Sequence, residues 1–275
     1  MVVYGQRSGL TRPRRDRMVG TKFGCPVGVR AVSPYPPCLR MTWLVFIAWF
    51  SLAASASCAI WIAIDEGRHL QTMAIMNFVW PITALYGGPL ALWAYLVFGR
   101  ESNRDTGKHH NKDRRAGFAS IAKGTTHCGA GCTLGDVIAE IILAALPGIA
   151  VALGWKTLWE DNIFSSWLLD FLLAFLIGIA FQYWSIKPMH PKISPSTAMA
   201  RALKADALSL TSWQIGMYAV MAVAHFMIFP HLLGHPLVPA GILFWWIMQF
   251  AMMAGFLTAY PVNRWLINRG IKEAM

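Results

Sequence analysis

A chain of 275 residues that is 56% hydrophobic and only 13% charged, with 13 tryptophans, is not a soluble domain. Its net charge of +11 sits in basic segments between long apolar runs. That pattern argues against nucleic-acid binding and for a polytopic membrane protein whose basic segments stay cytoplasmic.

About 20 apolar residues cross the hydrocarbon layer as a helix. The expected fold is therefore all-α, a transmembrane bundle of six spans: two N-terminal helices and a four-helix core. Residues 1–40 hold eight of the 24 Lys and Arg residues against one acid, Asp16, and include Pro13, Pro26, Pro34, Pro36 and Pro37. This leader is expected to be unstructured. Met41 directly precedes the first apolar run, so a start there is an open alternative. Residues 41–98 form the N-terminal pair, with spans at 43–64 and 72–98; Cys58 in the first reads as a packing residue. Pro81, Gly87, Gly88 and Pro89 predict a kink or break near Tyr86.

A basic loop, 99–126, follows, with seven Lys or Arg residues, three acids, and His109 and His110 read as solvated. Residues 127–275 form the four-helix core, with spans at 132–154, 164–186, 206–229 and 238–262. The leader, the 99–126 loop, the basic 187–205 loop and the C-terminal tail fall on one side, which places both termini in the cytoplasm. Thiols on that side stay reduced, while His231 and His235 face outward.

The stretch HCGAGCTLGDVIAE, from His127 to Glu140, concentrates the chemistry. In a helix beginning near Cys128, the residues Cys128, Cys132, Asp136 and Glu140 recur every four positions and drift slowly around one face. Gly129, Ala130 and Gly131 read as a flexible approach to that face. Intramembrane acids need a proton, a partner or a cation. Cysteines four apart on a helix are too far apart for a disulfide, whereas a bridging metal spans them. His127, Cys128 and Cys132 are the candidate ligands of copper, or else zinc.

A second stripe on the fifth span carries Asp206, Gln214, Met217, Met221 and His225, and the sixth span adds Met248 and Met252. These methionines and His225 are candidates for a soft-metal relay. Asp136, Glu140, Asp170 and Asp206 are candidates for charge compensation or proton exchange, and Gln182, Gln214 and Gln249 for hydrogen bonds between helices. No nucleotide-binding loop, HExxH or serine nucleophile elbow is present, and CxxCH haem attachment is absent.

HCGAGCTLGDVIAE, GIAFQYWSIKPM from Gly178, LKADALSLTSWQIGMY from Leu203 and MQFAMMAGFLTAYPVNRWLINRGIKEAM near the end together resemble the bacterial membrane family called domain of unknown function 4396 (DUF4396), over residues 116–275. The resemblance implies the four-helix core and supplies no mechanism. Three readings stay open at this point. One is a bacterial inner-membrane protein that binds copper through HCGAGC and moves or detoxifies it, with a metal ion or metallochaperone as partner. Another is a thiol-redox or quinone-linked electron-transfer enzyme. The last is a non-catalytic membrane partner or assembly protein.

Overall fold

The computed structural model describes residues 37–69, 71, 73–100, 117–234, 236–238 and 241–273. The leader up to residue 36, His109 and His110 with the rest of 101–116, and His235 lie outside the described residues. The architecture is all-α. The helices are α1 (Pro37–Glu66), α2 (Met76–Gly99), α3 (Phe118–Ala145), a short α4 (Gly148–Ala152), α5 (Asn162–Met189), α6 (Pro195–Leu233) and α7 (Ile242–Asn268). All but α4 are long and apolar enough to cross a membrane, six in total among the described residues.

Local chemistry explains where these helices start and stop. Ser194 caps α6 by accepting from the Thr197 amide at 3.2 Å, with Pro195 at the first helical position. Asp161 caps α5 by accepting from the Ile163 amide at 3.1 Å. Pro147 forces Leu146 out of helical geometry and ends α3. The kink expected near Tyr86 lies at Gly88, whose φ of +50° and ψ of −131° break the helical path just before Pro89. Only a glycine suits that backbone, and a Cβ there would meet Ser55 Oγ of α1 at 2.8 Å.

α3 is the centre of the molecule: 61% of its most apolar window is buried, against 22–39% for the other spans. Around it, α5, α6 and α7 complete a ring in which α3 packs on α5, α5 on α6, α6 on α7 and α7 on α3. The α1–α2 hairpin docks on the outside of this ring against α3 and α7. Gln249 of α7 fastens it. Its side chain accepts from Ser51 Oγ at 2.7 Å and donates to Ser55 Oγ at 2.8 Å and to the Leu85 carbonyl at 2.9 Å.

Candidate functional site

The glycines of α3 bring its neighbours close enough to surround it. Gly129 lies under the Trp213 indole of α6, Gly131 faces Gly178 of α5, and Gly135 faces Ala174 of α5. A Cβ on Gly131 would stand 2.7 Å from Gly178 Cα. The expectation of flexibility at Gly129, Ala130 and Gly131 is thus corrected: these residues are mid-helix packing positions. α3 also begins at Phe118, ten residues ahead of Cys128, so the thiols lie inside the bundle and not at a mouth.

Two polar centres lie along α3. The first is built on Cys128, which is fully buried. Its thiol donates to Asp206 Oδ1 of α6 at 3.3 Å and accepts from Ser209 Oγ at 3.3 Å. Asn263 of α7 donates to Ser209 Oγ at 2.6 Å. Lys272, from the segment after α7, closes the ring by donating to Asp206 Oδ1 at 2.5 Å, to Asn263 Oδ1 at 2.9 Å and to Cys128 Sγ at 3.1 Å. The ring balances its own charge, one ammonium against one carboxylate. Burial works against the charge of Lys272, but Asp206 and the Cys128 sulfur outweigh it and hold its pKa above the ordinary lysine value.

Sequence reasoning missed Lys272, Ser209 and Asn263. Asn263 was visible as a lone amide at the end of an apolar run, whereas Lys272 looked like one more tail charge.

The remaining candidate ligands are dispersed. His127 turns to α5, where its Nε2 lies 3.1 Å from Ser185 Oγ. Cys132 is buried in the apolar core, and both cysteines are free thiols. Met252 Sδ accepts from Trp213 Nε1 at 3.4 Å and from Thr133 Oγ1 at 3.8 Å. Met217, Met221 and Met248 pack in the same core. His225 pairs with Asp161 at 2.9 Å, at the α5 N-terminus. Among the described residues no three His, Cys, Asp or Glu side chains are gathered to hold a metal ion. As placed, His127, Cys128 and Cys132 do not fit a common soft ion, and an ammonium already occupies the cation position beside Cys128.

The second centre lies two turns further along α3, about 12 Å from Cys128. Asp136 is fully buried, and neither carboxylate oxygen has a hydrogen-bond partner. Gln214 of α6 faces it, with its own carboxamide oxygen and nitrogen also unpartnered. Glu140 lies one turn beyond on α3, and Asp170 of α5 stands near both acids. Glu140 and Asp170 are buried, and one Asp170 oxygen is unpartnered, as is Gln182 Oε1 elsewhere on α5. Among the described residues no ion pair reaches Asp136, Glu140 or Asp170.

The family model described as "Domain of unknown function (DUF4396)" matches residues 118–272, more than half of the chain. The chain belongs to that family. Comparison with curated proteins and with solved structures gave no match. The DUF4396 segment contains both centres, from Cys128 and Asp136 on α3 to Lys272 near its end, while α1 and α2 precede it.

Proposed function

We propose that the protein carries protons across the membrane through a carboxyl site at the middle of the bundle, with Asp136 as the central group and Glu140 and Asp170 beside it. One observation carries the reading: these three buried acids have no basic partner among the described residues, whereas Asp206 in the same bundle has Lys272. An acid deep in a membrane bundle is costly unless a proton or a cation compensates it, and such acids mark ion and proton pathways. Gln214 sits at the midpoint of α6 and Asp136 about two-thirds of the way along α3, both well inside their apolar helices, as a site reached from either side of the membrane requires. In this reading the Cys128–Asp206–Lys272 ring is the fixed, charge-neutral part of the bundle, and the Asp136 centre is the part that changes protonation. The setting is the inner membrane of a bacterium, with the basic segments and both termini on the cytoplasmic side.

The test is proton flux. Liposomes containing the protein and a pH-sensitive dye, with a potential imposed by potassium and valinomycin, are expected to change internal pH faster than protein-free liposomes. Asp136→Asn is expected to return the rate to the protein-free level, and Asp136→Glu to retain part of it. Wild-type rates equal to those of protein-free liposomes would overturn the reading.

The copper or zinc reading rests on donor chemistry alone, and Lys272 would have to withdraw before an ion could reach Cys128. Protein purified from cells grown with both metals is therefore expected to carry no stoichiometric metal by elemental analysis. Stoichiometric metal that disappears in the Cys128→Ser, Cys132→Ser variant would restore that reading.

A further inference from the structure

Beside Asp136 lies a half-open cavity of about 290 Å³, lined by the α1–α2 hairpin and helices α3 and α7. Its size is close to the lower end of small-molecule pockets. The wall is almost wholly apolar: Trp245 and Met248 of α7 and the Tyr86 side chain of α2 form much of it. Thr133 and Gln249 also line it, but their polar groups are already engaged, Thr133 with the Gly129 carbonyl at 2.8 Å and Gln249 with α1 and α2. Two buried polar groups without hydrogen-bond partners lie within this wall, the Asp136 carboxyl and the Tyr86 hydroxyl.

An apolar chamber with aromatic walls and a single unpaired carboxyl is complementary to an organic molecule with an apolar body and one positive charge. The carboxyl supplies the counter-charge, and Tyr86 and Trp245 bring aromatic rings, whose quadrupoles attract cations, to the lining. A neutral lipid tail would be served by the walls alone and would leave Asp136 unmatched. An inorganic cation would find too few ligands, since among the described residues no three acidic, His or Cys side chains are gathered closely enough to hold a metal ion.

We infer that this cavity is a binding site for a small lipophilic organic cation, of the arylmethyl-ammonium class, held by Asp136 in exchange for a proton. The inference rests on the proton reading above and extends it: the cation and the proton compete for one carboxyl. No bond is made or broken beyond the O–H of Asp136, whose proton leaves to solvent as the cation arrives.

The titratable groups facing Asp136 bound the pH behaviour. Glu140 and Cys132 share its helix, Asp170 comes from α5, Tyr218 from α6 and Tyr86 from α2. The cavity walls from α1 and α7 contribute no titratable side chain. Because proton and ligand compete, apparent affinity should rise with pH while Asp136 is the site of exchange.

The full-length protein in detergent is titrated with benzyltrimethylammonium by calorimetry, in two buffers of different ionisation enthalpy and at several pH values. Saturable binding is expected, with a proton released for each cation bound and with affinity rising as pH rises. Asp136→Asn is expected to weaken binding by roughly 30-fold or more, the scale of removing one partner of a buried charge pair, and to abolish the proton release. Asp136→Glu, which keeps the carboxyl, should preserve both; each variant is first matched to wild type in elution volume and melting temperature. Equal binding of the neutral isostere neopentylbenzene, or cation binding indifferent to pH and to Asp136→Asn, would overturn the inference and leave an apolar pocket. So would an absence of saturable binding by wild type. Failure of proton flux with ligand-linked proton release intact would instead overturn only the proton-transport reading.

Discussion

Lys272→Ala is expected to destabilise the folded protein by about 3–5 kcal/mol, the cost of leaving one member of a buried ion pair alone. Both side chains of the Lys272–Asp206 pair are fully buried, and the ammonium is the only cation bonded to Asp206 among the described residues. Its removal also takes the donor from Asn263 Oδ1 and one of the contacts of Cys128 Sγ. Unfolding of the bicelle-reconstituted protein by SDS reads the change. The double variant Lys272→Met, Asp206→Asn should be markedly more stable than Lys272→Ala, because it removes the charges together and leaves none uncompensated. The sign of the pH dependence follows from the raised pKa of Lys272. Its contribution is fully present below the ordinary lysine value of about 10.4 and is lost only as pH rises through the higher folded value. The gap between wild type and Lys272→Ala should therefore stay constant through neutral pH and close only under strongly alkaline conditions. A Lys272→Ala protein within about 0.5 kcal/mol of wild type, the range of an ordinary surface change, would show that the tail is not seated in the bundle.

Hydropathy made the spans legible because each contains enough consecutive apolar residues, but it misjudged their ends. α3 has 28 residues and is about 42 Å long, more than the roughly 30 Å of hydrocarbon. Its first turns, with Lys123, Thr125 and Thr126, therefore looked like loop. The threonines are accommodated by donating back along the helix, Thr125 to the Ile121 carbonyl at 2.8 Å and Thr126 to the Lys123 carbonyl at 2.9 Å.

The four-residue stripe was legible as a pattern and not as a destination. Each interval of four advances about 40° around the helix, so Cys128 and Asp136 are separated by about 80°. That turn is enough to aim Cys128 at α6 and the C-terminal tail while Asp136 reaches the cavity beside α1 and α2. No sequence spacing could connect Cys128 with Lys272, 144 residues away. Their meeting depends on the packing of α7 against α3 and α6. The soft-metal expectation arose from reading the thiols and acids as one set. The fold divides them into a ring with its own cation and a carboxyl centre without one.

That division depends on how closely α5 approaches α3, so Gly135→Ala is expected to disturb both stability and the carboxyl centre. The added Cβ would stand 2.5 Å from Ala174 Cα and against the Ala174 amide nitrogen. These are backbone atoms, and no rotamer change relieves the clash; the two helices must separate or tilt. Small residues permit such close helix pairing within a membrane, and overfilling a packed interface costs about 1–3 kcal/mol. Gly131→Ala, which meets the Gly178 backbone at 2.7 Å, should act in the same direction. Gly148→Ala provides the control, because a Cβ there has nothing within 4 Å. Unfolding in the same bicelle assay should place Gly135→Ala and Gly131→Ala well below wild type and Gly148→Ala close to it. Separation of α3 from α5 also moves Asp136 away from Asp170, so proton flux by Gly135→Ala is expected to fall even where the variant remains folded. A Gly135→Ala protein with wild-type stability would mean that α5 does not approach α3 at backbone contact. The juxtaposition of Asp136 with Asp170 would then lose its physical basis.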